Sequence, residues 1–182
     1  MSLLICGARA AQDPRWPRSF SRSGVVALVS EPRALKLCGG EARRALKNAR
    51  IPFFVHALPT GEAAKSWPSV ERLLGAMLKA GMGRDGGVAA LGGGGVTDAA
   101  GFAASIYLRG VPWVSLPTTL LGQLDSGLGG KTGINLPQGK NLAGAFHEPK
   151  AVVCDQRWLE TLPSRERLSG LAEALKYGLV FE

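Results

Sequence analysis

The feature that most restricts the fold of this chain is a repeat. Short apolar runs are each followed at once by a turn and then by a stretch of helical length. Residues 24–30 (Gly-Val-Val-Ala-Leu-Val-Ser), 53–56, 88–91, 111–116 and 151–154 are such runs, and Leu3 to Cys6 reads as another. A run that is apolar at consecutive positions has no polar face to give to water, so as a strand it must be covered on both sides. Alternation of such strands with helical stretches predicts an α/β chain, a parallel sheet with helices on both faces, whose ligands gather at the carboxyl ends of the strands.

Several candidate residues fall at those ends. Glu31 follows the second run and suits ribose hydroxyls, but it suits equally the positive end of the helix that Pro32 opens. That helix is expected over 32–50, interrupted at Gly39 and Gly40, and residues 8–23 read as a long loop. Gly61, Glu62 and Lys65 follow the third run, and the acid and base three apart fit either a site or a surface pair. The next helix is expected at about 68–79. The fourth run enters Gly92-Gly93-Gly94-Gly95-Val96-Thr97-Asp98 before a small-residue helix over 99–108. Strand, glycine turn and helix start make a phosphate cradle, or simply a tight βα turn that avoids side-chain clashes.

The stretch 115–146 is the richest in chemistry. A strand end leads through Pro117 to Thr118, Thr119, Leu121, Asp125 and Ser126, then Gly127 to Gly130 deliver Lys131, and Gly139 presents Lys140 and Asn141. Two lysines and an amide on flexible turns suit a phosphate or carboxylate; the plainer reading is two solvated turns. Gly130-Lys131-Thr132 resembles a P-loop, but Asp125 stands where that pattern requires glycine and no strand leads into it. Further on, a short helical turn is expected over 155–162 and a helix with Ser164 as N-cap, carrying Glu173 and Lys176 on one face; that pair fits a solvated ion pair or a site.

Net charge is +8, and residues 1–50 hold ten Lys/Arg against three acids. No aromatic stacking pairs interleave with these arginines, so a nucleic-acid groove is not expected, and a basic surface that draws anionic substrates is. Cys6, Cys38 and Cys154 are odd in number and widely spaced, which suggests neither a disulfide framework nor a cysteine zinc site. The start of the chain lacks a signal-peptide pattern and no apolar run reaches membrane length, so no membrane partner and a cytoplasmic location are expected.

From Pro59 onward the chain resembles the 3-dehydroquinate synthases of the sugar-phosphate cyclase family. The resemblance is carried by Gly61-Glu62-x-x-Lys65, by Leu91-Gly-Gly-Gly94-x-x-x-Asp98-x-x-Gly101-Phe102 and by Tyr107-Leu-Arg109-Gly-Val-Pro112. It continues through Pro117-Thr-Thr-Leu-Leu-x-Gln-x-Asp125-Ser126, Gly129-Gly-Lys-Thr-Gly133-x-Asn135, Gly139-Lys-Asn141, Gly144-Ala-Phe146 and Gly170-Leu-Ala-Glu-x-x-Lys-Tyr-Gly178. Glu31 stands near the family's usual aspartate, and Gly95 and Thr97 where the family commonly has Val and Gly.

The resemblance implies a Rossmann-like NAD-binding domain over 1–163, with 164–182 as the first helix of a truncated helical domain. It implies NAD and a divalent metal, zinc or cobalt, and conversion of 3-deoxy-arabino-heptulosonate 7-phosphate, a phosphorylated sugar acid, to 3-dehydroquinate in the shikimate pathway. The implied NAD-site residues are Glu31, Gly61, Glu62, Lys65, Gly93, Gly94, Gly95, Val96, Thr97, Asp98, Thr118, Thr119, Leu121, Asp125, Ser126, Lys131, Lys140, Trp158, Thr161, Leu162 and Glu166. Asp125, Lys131, Asn141 and Lys176 would face substrate, Glu173 would ligate the metal, and Arg109 would reach a neighbouring subunit's substrate in a homodimer. The histidine ligands of the family have no counterpart in spacing at His56 or His147, so a partial chain inactive alone is expected. Alternatives are a related inosose or valiolone synthase, or a non-catalytic NAD-binding module.

Overall fold

The computed structural model describes residues 2–180; Phe181 and Glu182, the end of the expected 164–182 segment, lie outside the described residues. Six strands, β1 (Leu3–Gly7), β2 (Val26–Ser30), β3 (Phe53–Ala57), β4 (Gly87–Gly92), β5 (Trp113–Pro117) and β8 (Ala151–Asp155), form one sheet in the order β1-β8-β5-β4-β2-β3. Every pairing in it is parallel. The four inner strands are buried at every position, whereas β1 and β3 at the edges are not. This is the α/β arrangement expected from runs without polar alternation.

Successive residues of each inner strand feed opposite layers. Ala27, Val29, Val88 and Ala90 pack beneath α3 (Trp67–Lys79) and α4 (Gly94–Ile106), while Val26, Leu28, Ala89, Leu91, Val114 and Leu116 pack beneath α2 (Gly39–Asn48). Each large apolar side chain buried in these layers contributes roughly 1.5–3 kcal/mol relative to exposure. The helix expected over 32–50 is two, α1 (Pro32–Leu37) and α2, broken at Cys38 just before the glycines. Helix α4 begins at Gly94, five residues before the expected 99, because burial of its small-residue face outweighs the poor helix propensity of glycine.

Residues 8–23 are the long loop expected, and within it short turns at Ala10–Gln12 and Pro17–Ser19 bring Trp16 to 0% exposure beneath the sheet, with its indole N–H donating to the Ala11 carbonyl at 3.0 Å. Asp155, fully buried, fixes this segment by accepting from the Ala11 N–H at 3.0 Å. One expectation needs correction: residues 131–146 are not two flexible turns. They form an antiparallel hairpin, β6 (Lys131–Leu136) and β7 (Gly139–Phe146), joined through Pro137 and Gln138.

The hairpin lies on α4, and its glycines serve contact rather than flexibility. A Cβ on Gly101 of α4 would stand 2.5 Å from Thr132 Cγ2, and one on Gly144 would stand 2.2 Å from the Thr132 carbonyl oxygen. The last helix, α5 (Ser164–Val180), begins at Ser164 itself, so this residue is helical and not a cap. Of its described residues only Gly170 is buried, against Leu120. Among the described residues no helix is long and apolar enough to cross a membrane.

Truncation of the deepest side chain in the amino-terminal segment tests its place in the core. Trp16→Ala is expected to lower unfolding stability by about 3–5 kcal/mol in chemical denaturation; a loss near zero would show the segment to be peripheral.

Candidate functional site

One backbone hydrogen bond past the end of the β4/β5 pairing sets the geometry: the Thr118 N–H donates to the Gly92 carbonyl at 2.9 Å. It brings the glycine turn before α4 against the residues after β5, so that a Cβ on Gly93 would lie 3.1 Å from Thr119 Cγ2. A third loop closes in from the other side, where a Cβ on Gly95 would stand 2.5 Å from the Gly61 carbonyl oxygen. Gly61 holds φ 66°, which glycine alone adopts freely. Helix α4 starts with no side-chain cap and no acid in its first turn. The first N–H groups of a helix have no partner within it, and here they open onto a cleft of about 540 Å³.

The sequence-predicted residues Glu31, Gly61, Glu62, Lys65, Gly93, Gly94, Gly95, Asp98, Thr118, Thr119, Leu121, Ser126, Trp158, Thr161, Leu162 and Glu166 all line this cleft. Such a cradle, with glycine required at its closest approaches and bare N–H groups at its floor, fits a dinucleotide's phosphates. Cys38 also lines it, but burial pushes its thiol up to about 12, reinforced by the charges of Glu41 and Asp155, so it is no nucleophile at neutral pH.

A second cleft of about 570 Å³ adjoins the first, and Asp98 and Ser126 line both. Asp125, Lys131, Asn141 and Phe146 are among its other walls. Lys131 Nζ sits 2.9 Å from Asp125 Oδ1, and this hydrogen bond raises the lysine's pKa and holds it charged. Lys65, only 6% exposed, donates to Asp98 Oδ2 at 2.7 Å and to Asn141 Oδ1. Burial raises the pKa of Asp98, while the Lys65 hydrogen bond and charge act against that rise. Ser126 Oγ is buried without a hydrogen-bond partner. An orphaned hydroxyl on the wall between two clefts is a group left for a ligand.

Other expected site residues lie elsewhere. The side chains of Val96 and Thr97 do not line the cleft: Val96 is 2% exposed in the core and Thr97 is fully buried, donating to the Gly94 carbonyl at 3.2 Å. Asp125 and Lys131, expected to line the dinucleotide cleft as well, border only the second. Lys140 is an exposed rim residue 3.9 Å from Glu62. Arg109 follows the far end of α4, a 13-residue helix about 20 Å long, and so stands at the opposite edge of the sheet. Three consecutive residues there, Leu108, Arg109 and Gly110, have positive φ.

Glu173 accepts from Lys176 at 2.8 Å, and Lys176 Nζ lies 5.7 Å from the centre of the Tyr177 ring. Among the described residues no group of three or more His, Cys, Asp or Glu side chains could hold a metal ion. His147, on the hairpin exit, has its ring held by the Val111 carbonyl at 2.9 Å. The described residues alone do not make a metal centre.

Residues 55–169 match the family model described as 3-dehydroquinate synthase N-terminal. The chain belongs to the 3-dehydroquinate synthase family. A 3-dehydroquinate synthase of Symbiobacterium thermophilum is 49% identical over 153 residues, 84% of this chain and 43% of that protein. A solved 2-deoxy-scyllo-inosose synthase complexed with carbaglucose-6-phosphate, NAD+ and Co2+ superposes with a TM-score of 0.90 at 27% identity, covering 98% of this chain and 49% of that one. A 2-epi-5-epi-valiolone synthase from Streptomyces hygroscopicus, with NAD+ and Zn2+ bound, gives 0.86 at 32%, covering 97% and 49%. The chain spans about half the length of the curated relatives it matches, 43% to 48%.

Within this member of the 3-dehydroquinate synthase family, the sequence alone did not single out Arg33, Leu37, Cys38 or Arg165, which also line the first cleft. They come from helix flanks whose orientation depends on the break at Cys38 and on the start of α5. Glu31 could be placed at the cleft from its strand end, and its Oε2 accepts from the Gly61 N–H at 3.3 Å.

Removing the partner of Asp98 provides an electrostatic test. In a carboxyl-carbon NMR titration Asp98 is expected to titrate above the ordinary value, 3.8, and higher still in Lys65→Met, since the lysine opposes the burial effect. A downward shift in the variant would contradict the assigned environment.

Proposed function

We propose that this chain is the dinucleotide-binding and substrate-facing portion of a 3-dehydroquinate synthase, acting in the cytoplasm and the shikimate pathway. The reaction converts 3-deoxy-arabino-heptulosonate 7-phosphate to 3-dehydroquinate with loss of phosphate. The observation that carries this reading is the pair of adjoining clefts that share Asp98 and Ser126 as their common wall. A reaction that oxidises a sugar alcohol and then ejects an anion needs a dinucleotide and an anionic sugar side by side.

In the first cleft, the free N–H groups at the start of α4 take the pyrophosphate and Glu31 takes ribose hydroxyls. NAD held in this cleft would supply hydride-transfer chemistry. In the second cleft, Lys131 and Asn141 receive the anionic end of the sugar. Asp125 holds Lys131 in place, and its side chain, 34% exposed, opens onto the second cleft. Lys65, charged and nearly buried between the clefts, orients Asn141 and neutralises Asp98, so that the shared wall presents no unpaired charge.

Glu173 is the one metal ligand this reading assigns to the chain, and further ligands must be supplied from outside the described residues. Arg109, at the other edge of the sheet, would serve the site of a second copy in a homodimer. A related cyclase acting on another sugar phosphate is the second reading, favoured by the inosose and valiolone synthases among the solved structures. Relatives 45% to 49% identical that carry the dehydroquinate name favour the first.

Calorimetric titration of the chain with NAD tests the proposal. One NAD per chain is expected to bind, and Gly95→Val, whose Cβ would overlap the Gly61 carbonyl, is expected to weaken binding by at least about tenfold while leaving the sheet folded. Equal affinity in both proteins would refute the assignment of the glycine turn.

A further inference from the structure

Asn135 lines neither cleft, yet three of its polar groups are used to join them. Its backbone N–H donates to the Lys65 carbonyl at 2.9 Å, its Nδ2 donates to Glu62 Oε1 at 3.0 Å, and its Oδ1 accepts from the Asn141 N–H at 2.9 Å. Chemistry fixes the orientation of the amide: a carboxylate at neutral pH only accepts and a backbone N–H only donates. Asn135 can turn to these partners because pairing of β6 with β7 slips between Ile134 and Leu136, which takes it out of the ladder.

Asn141 has φ 57°, in the left-handed region that asparagine enters more readily than most L residues, and this turns its N–H toward Asn135 Oδ1. It is gripped at both ends, its N–H by Asn135 and its Oδ1 by Lys65. Glu62 and Lys65 line the dinucleotide cleft, and Asn141 lines the other. We infer that Asn135 is a positioning residue that couples the two clefts: it sets Asn141 and Lys65 relative to Glu62, so that filling the dinucleotide cleft pre-orders the anion cleft. The identity of the ligand rests on the function proposed above; the positioning of Asn141 does not.

Three variants of the same chain test it: Asn135→Ala, Asn135→Asp, and Asn135→Asp combined with Glu62→Gln. NAD affinity is read by calorimetry and the Asn141 amide by hydrogen exchange, with and without NAD. In the parent chain NAD is expected to slow Asn141 exchange. Asn135→Ala is expected to speed that exchange and to weaken NAD about three- to tenfold, the range for losing a hydrogen bond to a charged group that is partly solvated. Asn135→Asp keeps an acceptor for Asn141 but opposes two carboxylates, so NAD affinity falls at neutral pH and recovers as pH is lowered. Adding Glu62→Gln reverses the donor and acceptor of that pair, and NAD affinity is expected to rise above that of Asn135→Asp alone.

A residue needed only for folding would lower the melting temperature without producing the pH-dependent recovery or the rescue. Unchanged Asn141 exchange in Asn135→Ala, or a double variant no better than Asn135→Asp, overturns the inference. If the parent chain binds no NAD, the proposed function fails, while the exchange rate of Asn141 in the unliganded variants still decides whether Asn135 positions it.

Discussion

The hydrogen bond from the Thr118 N–H to the Gly92 carbonyl carries the pairing of β4 and β5 one step beyond the strands. Without it the glycine turn and the Thr118–Thr119 segment would splay apart, as loops at a strand end normally can. With it, two loops far apart in sequence share one floor, and the start of α4 is aimed at a fixed point. Parallel register is what makes this possible: in such a sheet every strand delivers its following loop to the same edge.

That edge is organised by charge as much as by shape. Lys65 is nearly buried, and a buried ammonium is tolerated only where acceptors surround it. Asp98 and Asn141 supply them from α4 and from the hairpin, so one cation ties together three elements that the sheet alone would not hold in register. On the other layer Asp155 plays a comparable part for the amino-terminal segment. Burial raises its pKa, but the Arg157 side chain and the Ala11 and Arg157 N–H groups prevail and hold it below the usual carboxylate value.

The strands and their parallel arrangement were legible because five runs lack polar alternation, and the site edge followed from them. Glu31, the Gly93–Gly95 turn and Thr118 could be placed together from their positions at strand ends. What could not be read was the hairpin. Gly133, Gly139 and Gly144 argue against strand by propensity, and the reason for two of them lies in contacts: Gly133 clears space for the Ala143 backbone, Gly144 for the Thr132 backbone, and Gly101 of α4 for the Thr132 side chain. That the side chains of Val96 and Thr97 face the core could not be read, because a turn motif does not reveal which of its side chains do so. The amino-terminal segment was legible as a loop but its packing was not, because its arginines and prolines mask Trp16 and Phe20, buried hydrophobics that only long-range packing brings under the sheet.

In the proposed function, loops after four different strands, β3, β4, β5 and β8, meet on one dinucleotide. An amide chemical-shift map recorded while NAD is added to the chain tests it most directly. The account predicts that shifts at Gly93–Gly95, Thr118–Thr119, Gly61–Glu62 and Trp158–Leu162 move together along a single binding curve. Shifts confined to the hairpin, or to the arginine-lined cleft formed by Arg18, Arg22 and Arg50 on the far side of the sheet, would contradict it.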